Sequence, residues 1–209
     1  MTDQTRDSYT AIAVEYAELV RAEMGGKPLD RAMVGAFADL VRGQGQVADI
    51  GCGTGNATGQ LHKLGVDVFG VDLSPGMLAV ARKDLPEVRF FEGSMLELDI
   101  PDESLAGLVA WYSTIHVADE LLPRALAEFH RVLRPGGHAL LAFQVGDEPL
   151  HLTEGLGHQI DLLFHRRRPE KMAELLKAAG LVTHARLVRE PENERTPQAF
   201  LLARKDLTG

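Results

Sequence analysis

The spacing of apolar residues divides the chain into a helical N-terminal part and a region of alternating elements. Between Asp7 and Val41, apolar residues recur three and four positions apart, which predicts helices. The sequence GGKP at 25–28 interrupts this pattern and places Pro28 near the start of a second helix. From residue 46 onward, short apolar runs alternate with amphipathic segments. This alternation predicts a parallel sheet that is covered by helices on both faces.

Five strands are predicted in the alternating region, at 46–50, 66–72, 88–93, 105–112 and 138–143. Three helices are predicted between these strands. The first runs from the turn after the first strand to about Leu64, and the other two span 74–85 and 118–133. The segment 144–168 is polar and is predicted to be irregular. After it come a helix at 169–180 and two strands at 181–190 and 198–205. The loop between these last strands predicts an antiparallel pair.

Composition and charge narrow the classes of function. The chain has 209 residues, of which 45% are hydrophobic and 25% charged, and its formal net charge is -8. This acidic balance argues against nucleic-acid binding, which needs a basic face. No apolar run reaches the roughly 18 residues that cross a bilayer. The polar N-terminal sequence lacks a signal-peptide pattern, so we expect a cytoplasmic protein with no membrane partner.

A glycine-rich turn follows the first predicted strand in the stretch ADIGCGTGNATGQL, residues 48–61. A dinucleotide fingerprint that starts at Gly51 and Gly53 needs a third glycine at position 56, which is Asn56. A P-loop ends in Gly-Lys-Ser/Thr, and this turn has no lysine. The turn therefore suits a close approach of ligand to backbone, but it is not an obvious phosphate site.

An acidic residue, Asp72, ends the second predicted strand, 21 residues after Gly51. An acid at this place accepts hydrogen bonds from ribose hydroxyls. Together the turn and Asp72 predict a nucleoside ligand, and the missing fingerprint glycine disfavours a pyrophosphate. A nucleoside with an amino-acid tail fits better, because backbone amides can receive its carboxylate and Asp49 can lie near its ammonium group.

Four motifs resemble, in order and spacing, those of the class I S-adenosylmethionine-dependent methyltransferases, and the nearest group is the small-molecule type 11 group. The motifs are ADIGCGTGNATGQL, FGVDLSPGMLAVAR, FFEGSMLELDIPDESLAGLVAWYSTIHV and LAEFHRVLRPGGHALLAF. The resemblance is strong over 46–143, about half of the chain, and weak elsewhere. It implies a Rossmann-like, doubly wound α/β sheet of seven strands, mostly parallel with an antiparallel last strand.

The same resemblance implies a single methyltransferase domain over residues 1–209. Within it we expect a helical lid at 1–43, a cofactor-binding core at 46–143, and a substrate-side segment with the C-terminal strands at 144–209. The lid is expected to cover the cofactor with residues 7–24, and Tyr9 or Tyr16 to face it. A monomer or a homodimer is expected.

The residues that the resemblance assigns to S-adenosylmethionine are Tyr16, Asp49, Gly51, Gly53, Gly55, Asp72, Leu73, Met77, Ser94, Met95 and Trp111. Asp72 would bind both ribose hydroxyls, and Leu73 and Met77 would flank adenine. Ser94 and Met95 occupy the place that reads the adenine amino group. Ser94 departs from the family there, because an aspartate is usual. Trp111 would lie beside the transferred methyl group.

Several other residues have a chemical and a structural interpretation. His116 follows the fourth predicted strand and is either a general base or a structural histidine. Cys52 is interpreted as a turn residue. The basic sequence HRRRP at 165–169 is interpreted as a solvated turn, and a site for an acidic substrate is the alternative. The histidines of 144–168 match no zinc motif, so no metal is expected.

The activity that the resemblance implies is methyl transfer from S-adenosylmethionine to a small molecule, with S-adenosylhomocysteine as product. The acceptor atom, O, N, S or C, is left open. The sequence WYST at 111–114 differs from the Asn/Asp-Pro-Pro-Tyr motif of DNA amino-methylases. One alternative is a non-catalytic S-adenosylmethionine-binding module, which Ser94 favours. Another is a nicotinamide-dependent oxidoreductase, which Asn56 disfavours.

Overall fold

The structure is a computed structural model that describes residues 3–207, and it describes residues 21–26 by their backbone alone. The predicted domain limits at residues 1 and 209 lie outside the described residues. Its helices are α1 (Asp3–Ala11), α2 (Ala13–Gly26), α3 (Pro28–Val41), α4 (Asn56–Lys63), α5 (Pro75–Asp84), α6 (Leu122–Val132) and α7 (Pro169–Ala178). Its strands are β1 (Val47–Ile50), β2 (Val68–Asp72), β3 (Phe90–Glu92), β4 (Leu105–Trp111), β5 (Leu133–Gln144), β6 (Leu150–Gly155), β7 (His158–Phe164), β8 (Leu181–Arg189) and β9 (Gln198–Lys205).

Seven of these strands form one sheet in the order β3-β2-β1-β4-β5-β9-β8. The first five strands of this order, β3, β2, β1, β4 and β5, are parallel to one another. Strand β9 is antiparallel to both β5 and β8. The predicted seven-stranded, mostly parallel sheet with an antiparallel last strand is therefore confirmed. The order reverses between β1 and β4, where ligands of open α/β sheets bind.

Apolar clusters cover both faces of this sheet. On one face, Phe37 of α3 and Leu61 of α4 pack in the same cluster as Leu140 of β5. On the other face, Phe129 of α6 packs in a cluster with Leu141. Because successive residues of a strand face opposite sides of the sheet, the adjacent Leu140 and Leu141 of β5 pack against helices on opposite faces. This doubly covered sheet explains why its strands are continuous apolar runs in the sequence.

The N-terminal region contains one more helix break than predicted. We expected a single helix before GGKP at 25–28, but the chain leaves the helical conformation at Ile12, which separates α1 from α2. Ile12 is buried in a small apolar cluster with Ile160 and Leu162 of β7. The hydroxyl of Ser8 also accepts a hydrogen bond from the backbone N–H of Asp161 at 2.8 Å. The break therefore lets α1 pack on β7.

The segment 144–168 was predicted to be irregular, and this prediction is wrong. Strands β6 and β7 form an antiparallel hairpin outside the main sheet, closed by the two residues Leu156 and Gly157. The hairpin forms because its alternating apolar residues pack against α1, which a local reading of the sequence does not reveal. None of the helices within residues 3–207 has the length and apolarity needed to cross a membrane.

Candidate active site

A cavity of about 360 Å³ lies at the carboxyl ends of the parallel strands. Its floor is the turn after β1 together with the ends of β2 and β4. Helices α1 and α2 and the β6–β7 hairpin form its cover, and residues near the start of α3 and β9 close one end. Most of its lining is apolar. Concave, mostly apolar sites with a few convergent polar groups are typical of small-molecule binding.

The three glycines of the turn have different structural roles. Gly51 has φ 72°, and a Cβ on it would lie 2.3 Å from Cβ of Ser113, so a larger residue does not fit. Gly55 also has positive φ and precedes α4, where a Cβ would contact Leu85. Gly53 has φ 54° and open space where a Cβ would stand. Gly53 is therefore the glycine of this turn beside which a ligand has room to approach the backbone.

Asp72 connects this turn to the end of β2. One of its carboxylate oxygens accepts the backbone N–H of Gly53 at 2.8 Å, and the other accepts that of Ser74 at the same distance. Its side chain is buried yet lines the cavity. Burial raises the pKa of Asp72, and the two backbone donors oppose this rise. The carboxylate thus holds the turn and keeps further acceptor capacity for a ligand.

Asp49, in β1, presents an incompletely satisfied carboxylate to the cavity. Its Oδ2 accepts the hydroxyl of Thr58 at 2.6 Å, whereas Oδ1 is buried without a hydrogen-bond partner in the part of the chain that the structure describes. Burial raises the pKa of Asp49 to about 7. Buried acceptors of this kind normally have partners. A donor on a ligand, an ammonium group above all, would supply one.

His116 and Tyr9 contact each other in the lining of the cavity. The Nδ1 atom of His116 lies 3.0 Å from the carbonyl oxygen of Leu163, so Nδ1 carries the proton. Nε2 therefore accepts from the hydroxyl of Tyr9, 2.7 Å away. Burial lowers the pKa of His116 to about 4 and raises that of Tyr9 well above its usual value. Both groups are therefore uncharged near neutral pH.

Arg167 corrects the interpretation of HRRRP as a solvated turn. Its guanidinium is buried and donates to the carbonyl oxygens of Thr114 and Val117, on either side of His116. It also bonds the carboxylate of Asp119 at 2.8 Å. Only the neighbouring Arg168 matches the prediction, since it is exposed. Arg167 thus fixes the turn that carries His116.

A buried ionic cluster, which was not predicted from the sequence, closes one end of the cavity. Arg189 in β8 bonds Asp30 of α3 at 2.9 Å and Glu194 at 2.6 Å. Lys27 also bonds Glu194, at 2.6 Å. Lys27, Asp30 and Glu194 line the cavity. The bonds from Arg189 lower the pKa of Glu194, whereas burial raises that of Asp30.

The structure brings together most of the residues that the sequence singled out. The predicted residues that line the cavity are Tyr16, Asp49, Gly51, Gly53, Asp72, Met77, Trp111 and His116. Tyr9, expected to face the cofactor as part of the lid, lines it as well. Four predicted cofactor residues lie away from its lining: Gly55, Leu73, Ser94 and Met95. Met95 belongs to the core, and the hydroxyl of Ser94 accepts the N–H of Leu96. Contacts of these four with a cofactor stay predictions.

Comparison with known proteins finds similarity to methyltransferases over part of this chain. Residues 47–137 match a family model described as a methyltransferase domain. An uncharacterised methyltransferase of Oceanobacillus iheyensis is 33% identical over 119 residues, 57% of this chain and 54% of that protein. A demethylmenaquinone methyltransferase of Chlorobaculum tepidum is 38% identical over 129 residues, 61% of this chain and 50% of that enzyme. The chain thus spans about half the length of the curated relatives it matches.

A solved structure extends the likeness to the whole fold. The complex of DhpI with SAH has a TM-score of 0.76 to this chain, with 22% sequence identity and 99% of each chain covered. Identity this low supports the shared fold alone. The family match over residues 47–137 and the relatives, taken with the glycine turn and Asp72, support a class I S-adenosylmethionine-dependent methyltransferase, and the shared fold agrees with this.

Proposed function

We propose that the protein transfers a methyl group from S-adenosylmethionine to a small-molecule acceptor and releases S-adenosylhomocysteine. The observation that carries this proposal is the buried, unpartnered Oδ1 of Asp49, a residue that lines the cavity together with Gly53 and Asp72. A ligand with an ammonium group and a ribose satisfies all three features. When bound, the cofactor supplies a methyl group already activated on its sulfonium.

The residues of this chain fit such a cofactor. Asp72 would accept the ribose hydroxyls and Asp49 the ammonium group, while the open side of Gly53 allows the backbone to approach. Trp111 and Met77 line the same cavity and supply apolar contact. The hydrogen bonds of Asp72 to Gly53 and Ser74 already hold the turn in place, so the site needs little reorganisation on binding.

The cover of the cavity would exclude water and orient the acceptor. Tyr9 and Tyr16 pack edge to face, with ring centroids 5.5 Å apart, beneath α1 and α2. Holding two reactants in line can supply roughly 7–11 kcal/mol of barrier reduction. The neutral Nε2 of His116 is a hydrogen-bond acceptor on this side. An acceptor O–H or N–H that displaces the Tyr9 hydroxyl would donate to it and become oriented.

Charge and enclosure support a small acceptor over a macromolecule. The cavity lies under two helices and a hairpin, and the net charge of -8 disfavours a nucleic acid. The name of the Chlorobaculum relative describes a quinone-type substrate, which is a small molecule. Cytoplasmic location and a monomeric or homodimeric state stay predictions from the sequence.

Calorimetry with S-adenosylhomocysteine, followed by an acceptor screen with methyl-labelled S-adenosylmethionine, tests the proposal. We expect micromolar binding of S-adenosylhomocysteine and none of NAD or NADP. His116→Ala should leave that affinity within about twofold while lowering turnover, because His116 acts on the acceptor side. Binding of NAD instead would overturn the proposal. Binding of S-adenosylhomocysteine without turnover on any acceptor would favour a non-catalytic binding module.

A further inference from the structure

The cavity has an apolar wall on the β6–β7 hairpin and, at one end, a polar wall of paired charges. The inner face of the β6–β7 hairpin contributes Leu152, Ile160, Leu162 and Phe164 to the lining. The polar wall is the cluster of Lys27, Asp30, Arg189 and Glu194, whose two cations and two anions are paired with one another. Among the side chains that the structure describes, neither wall contains an unpaired charged group that could bind a charged ligand.

The tip of the hairpin carries an unusual residue. The loop has two residues with positive φ, Leu156 at 53° and Gly157 at 81°, between the paired Gly155 and His158. Turns of this geometry favour Asn-Gly, because asparagine tolerates the left-handed region. A leucine there is in an unfavourable backbone conformation. Residues in such conformations cluster at active sites and ligand-binding segments.

The side chain of Leu156 lines the cavity although it is 38% exposed, so it stands where the cavity meets solvent. Leu19 of α2, which is 46% exposed, also lines the cavity. The opening is therefore bordered by leucines from two separate elements. An apolar border of this kind favours entry of an apolar ligand and disfavours a strongly hydrated one.

We propose that the acceptor is an uncharged, largely apolar small molecule, and that Leu156 is a specificity-determining residue for it. This inference rests on the proposed methyl transfer, because it concerns the second substrate of the same site. A formally charged acceptor would have to leave water for a site whose own charges are already paired. An uncharged molecule loses little hydration and gains contact with the hairpin.

Two related fluorophores test the charge preference. N-phenyl-naphthylamine is uncharged and apolar, and anilinonaphthalene sulfonate has a similar ring system with an added anionic group. We expect the protein saturated with S-adenosylhomocysteine to bind the uncharged probe at least about tenfold more tightly than the anionic one. Equal affinities, or tighter binding of the anionic probe, would overturn the proposal.

A matched pair of variants tests the role of Leu156. Leu163, in the same hairpin, is also 38% exposed but lies outside the cavity lining. Leu156→Asn should weaken binding of the uncharged probe about tenfold through lost apolar contact, and Leu163→Asn should leave it within about twofold. Leu156→Asn should not lower the melting temperature, since asparagine suits the turn. An equal loss of probe affinity in both variants would contradict the assignment of Leu156.

Calorimetry with S-adenosylhomocysteine on the same variants separates the two proposals. Failure of the wild-type protein to bind S-adenosylhomocysteine would overturn the methyl transfer and the acceptor class together. Normal binding of S-adenosylhomocysteine, with no preference between the probes or no selective effect of Leu156→Asn, would overturn the acceptor proposal alone.

Discussion

The hydroxyl of Tyr9 donates a hydrogen bond of 2.7 Å to Nε2 of His116, and this bond joins α1 to the turn after β4. The other ring nitrogen of His116 is occupied by the carbonyl oxygen of Leu163 in the hairpin. One imidazole ring therefore connects the N-terminal cover, the sheet and the hairpin. It does so in its neutral form, because burial lowers the pKa of His116 to about 4.

We expect His116 to make the protein less stable in acid. An unfolded histidine binds a proton near pH 6.5, whereas folded His116 does so only near pH 4. Between these values the unfolded state binds more protons, so the free energy of unfolding falls as the pH is lowered. The contribution over this window is on the order of 3 kcal/mol.

Urea unfolding of the wild type and of His116→Gln, at about pH 7 and about pH 4.5, measures this contribution. The variant should lose less stability between the two conditions than the wild type does. His62→Gln is a suitable control, because the His62 side chain is 41% exposed on α4. If His116→Gln and the wild type lose the same free energy, His116 is not held neutral in the folded protein.

Asp72 should be required for cofactor affinity. Replacing it with alanine removes a charged acceptor for the ligand and also releases the N–H groups of Gly53 and Ser74. Hydrogen bonds to charged groups contribute roughly 1.5–3 kcal/mol, so the affinity for S-adenosylhomocysteine should fall about ten- to a hundredfold or more. Calorimetry measures this change. Asp67→Ala, an exposed residue just before β2, should bind normally; an unchanged affinity in Asp72→Ala would refute the nucleoside assignment.

Arg167 should be required for the turn that carries His116. Arg167→Met leaves the carbonyl oxygen of Val117 without its donor, whereas that of Thr114 keeps the backbone N–H of Val117 at 3.1 Å. A buried unpaired group costs about 1–3 kcal/mol, so we expect a loss of that size in the free energy of unfolding, measured with urea. Arg168→Met is the control, because Arg168 is exposed and its pair with Asp147 should contribute less than about 1 kcal/mol. Similar losses in both variants would show that Arg167 does not hold the turn.

The buried ionic cluster should be sensitive to the loss of one member. Arg189 and Asp30 each have side chains that are 3% exposed, so Arg189→Met leaves two carboxylates without their main partner. Breaking a buried pair in this way costs about 3–5 kcal/mol. Arg186→Met, on the same strand, removes a guanidinium that is 47% exposed and should cost less than about 1 kcal/mol. Thermal and urea unfolding distinguish these outcomes, and a cost for Arg189→Met no larger than that for Arg186→Met would argue against the cluster.

The main sheet and much of the candidate site could be predicted from the sequence, because both depend on local patterns. The apolar runs of β1 and β2 and the glycines between them follow one another along the chain. Gly51 and Asp72 lie at the ends of consecutive strands, and parallel pairing of these strands brings their carboxyl ends together. The seven-stranded, mostly parallel sheet with an antiparallel last strand was expected from the family resemblance, and the structure confirms it.

The hairpin and the acceptor side of the cavity depended on the tertiary structure. The apolar alternation of β6 ends after Leu152, because position 154 is a glutamate, and the turn lacks the Asn-Gly signal. Tyr9 and His116 are 107 residues apart in the chain, and Asp30 and Arg189 are 159 apart. No periodicity of the sequence relates residues at such separations. Their contacts arise only when α1, α3, the hairpin and β8 pack around the sheet, because burial and charge pairing are properties of the packed chain.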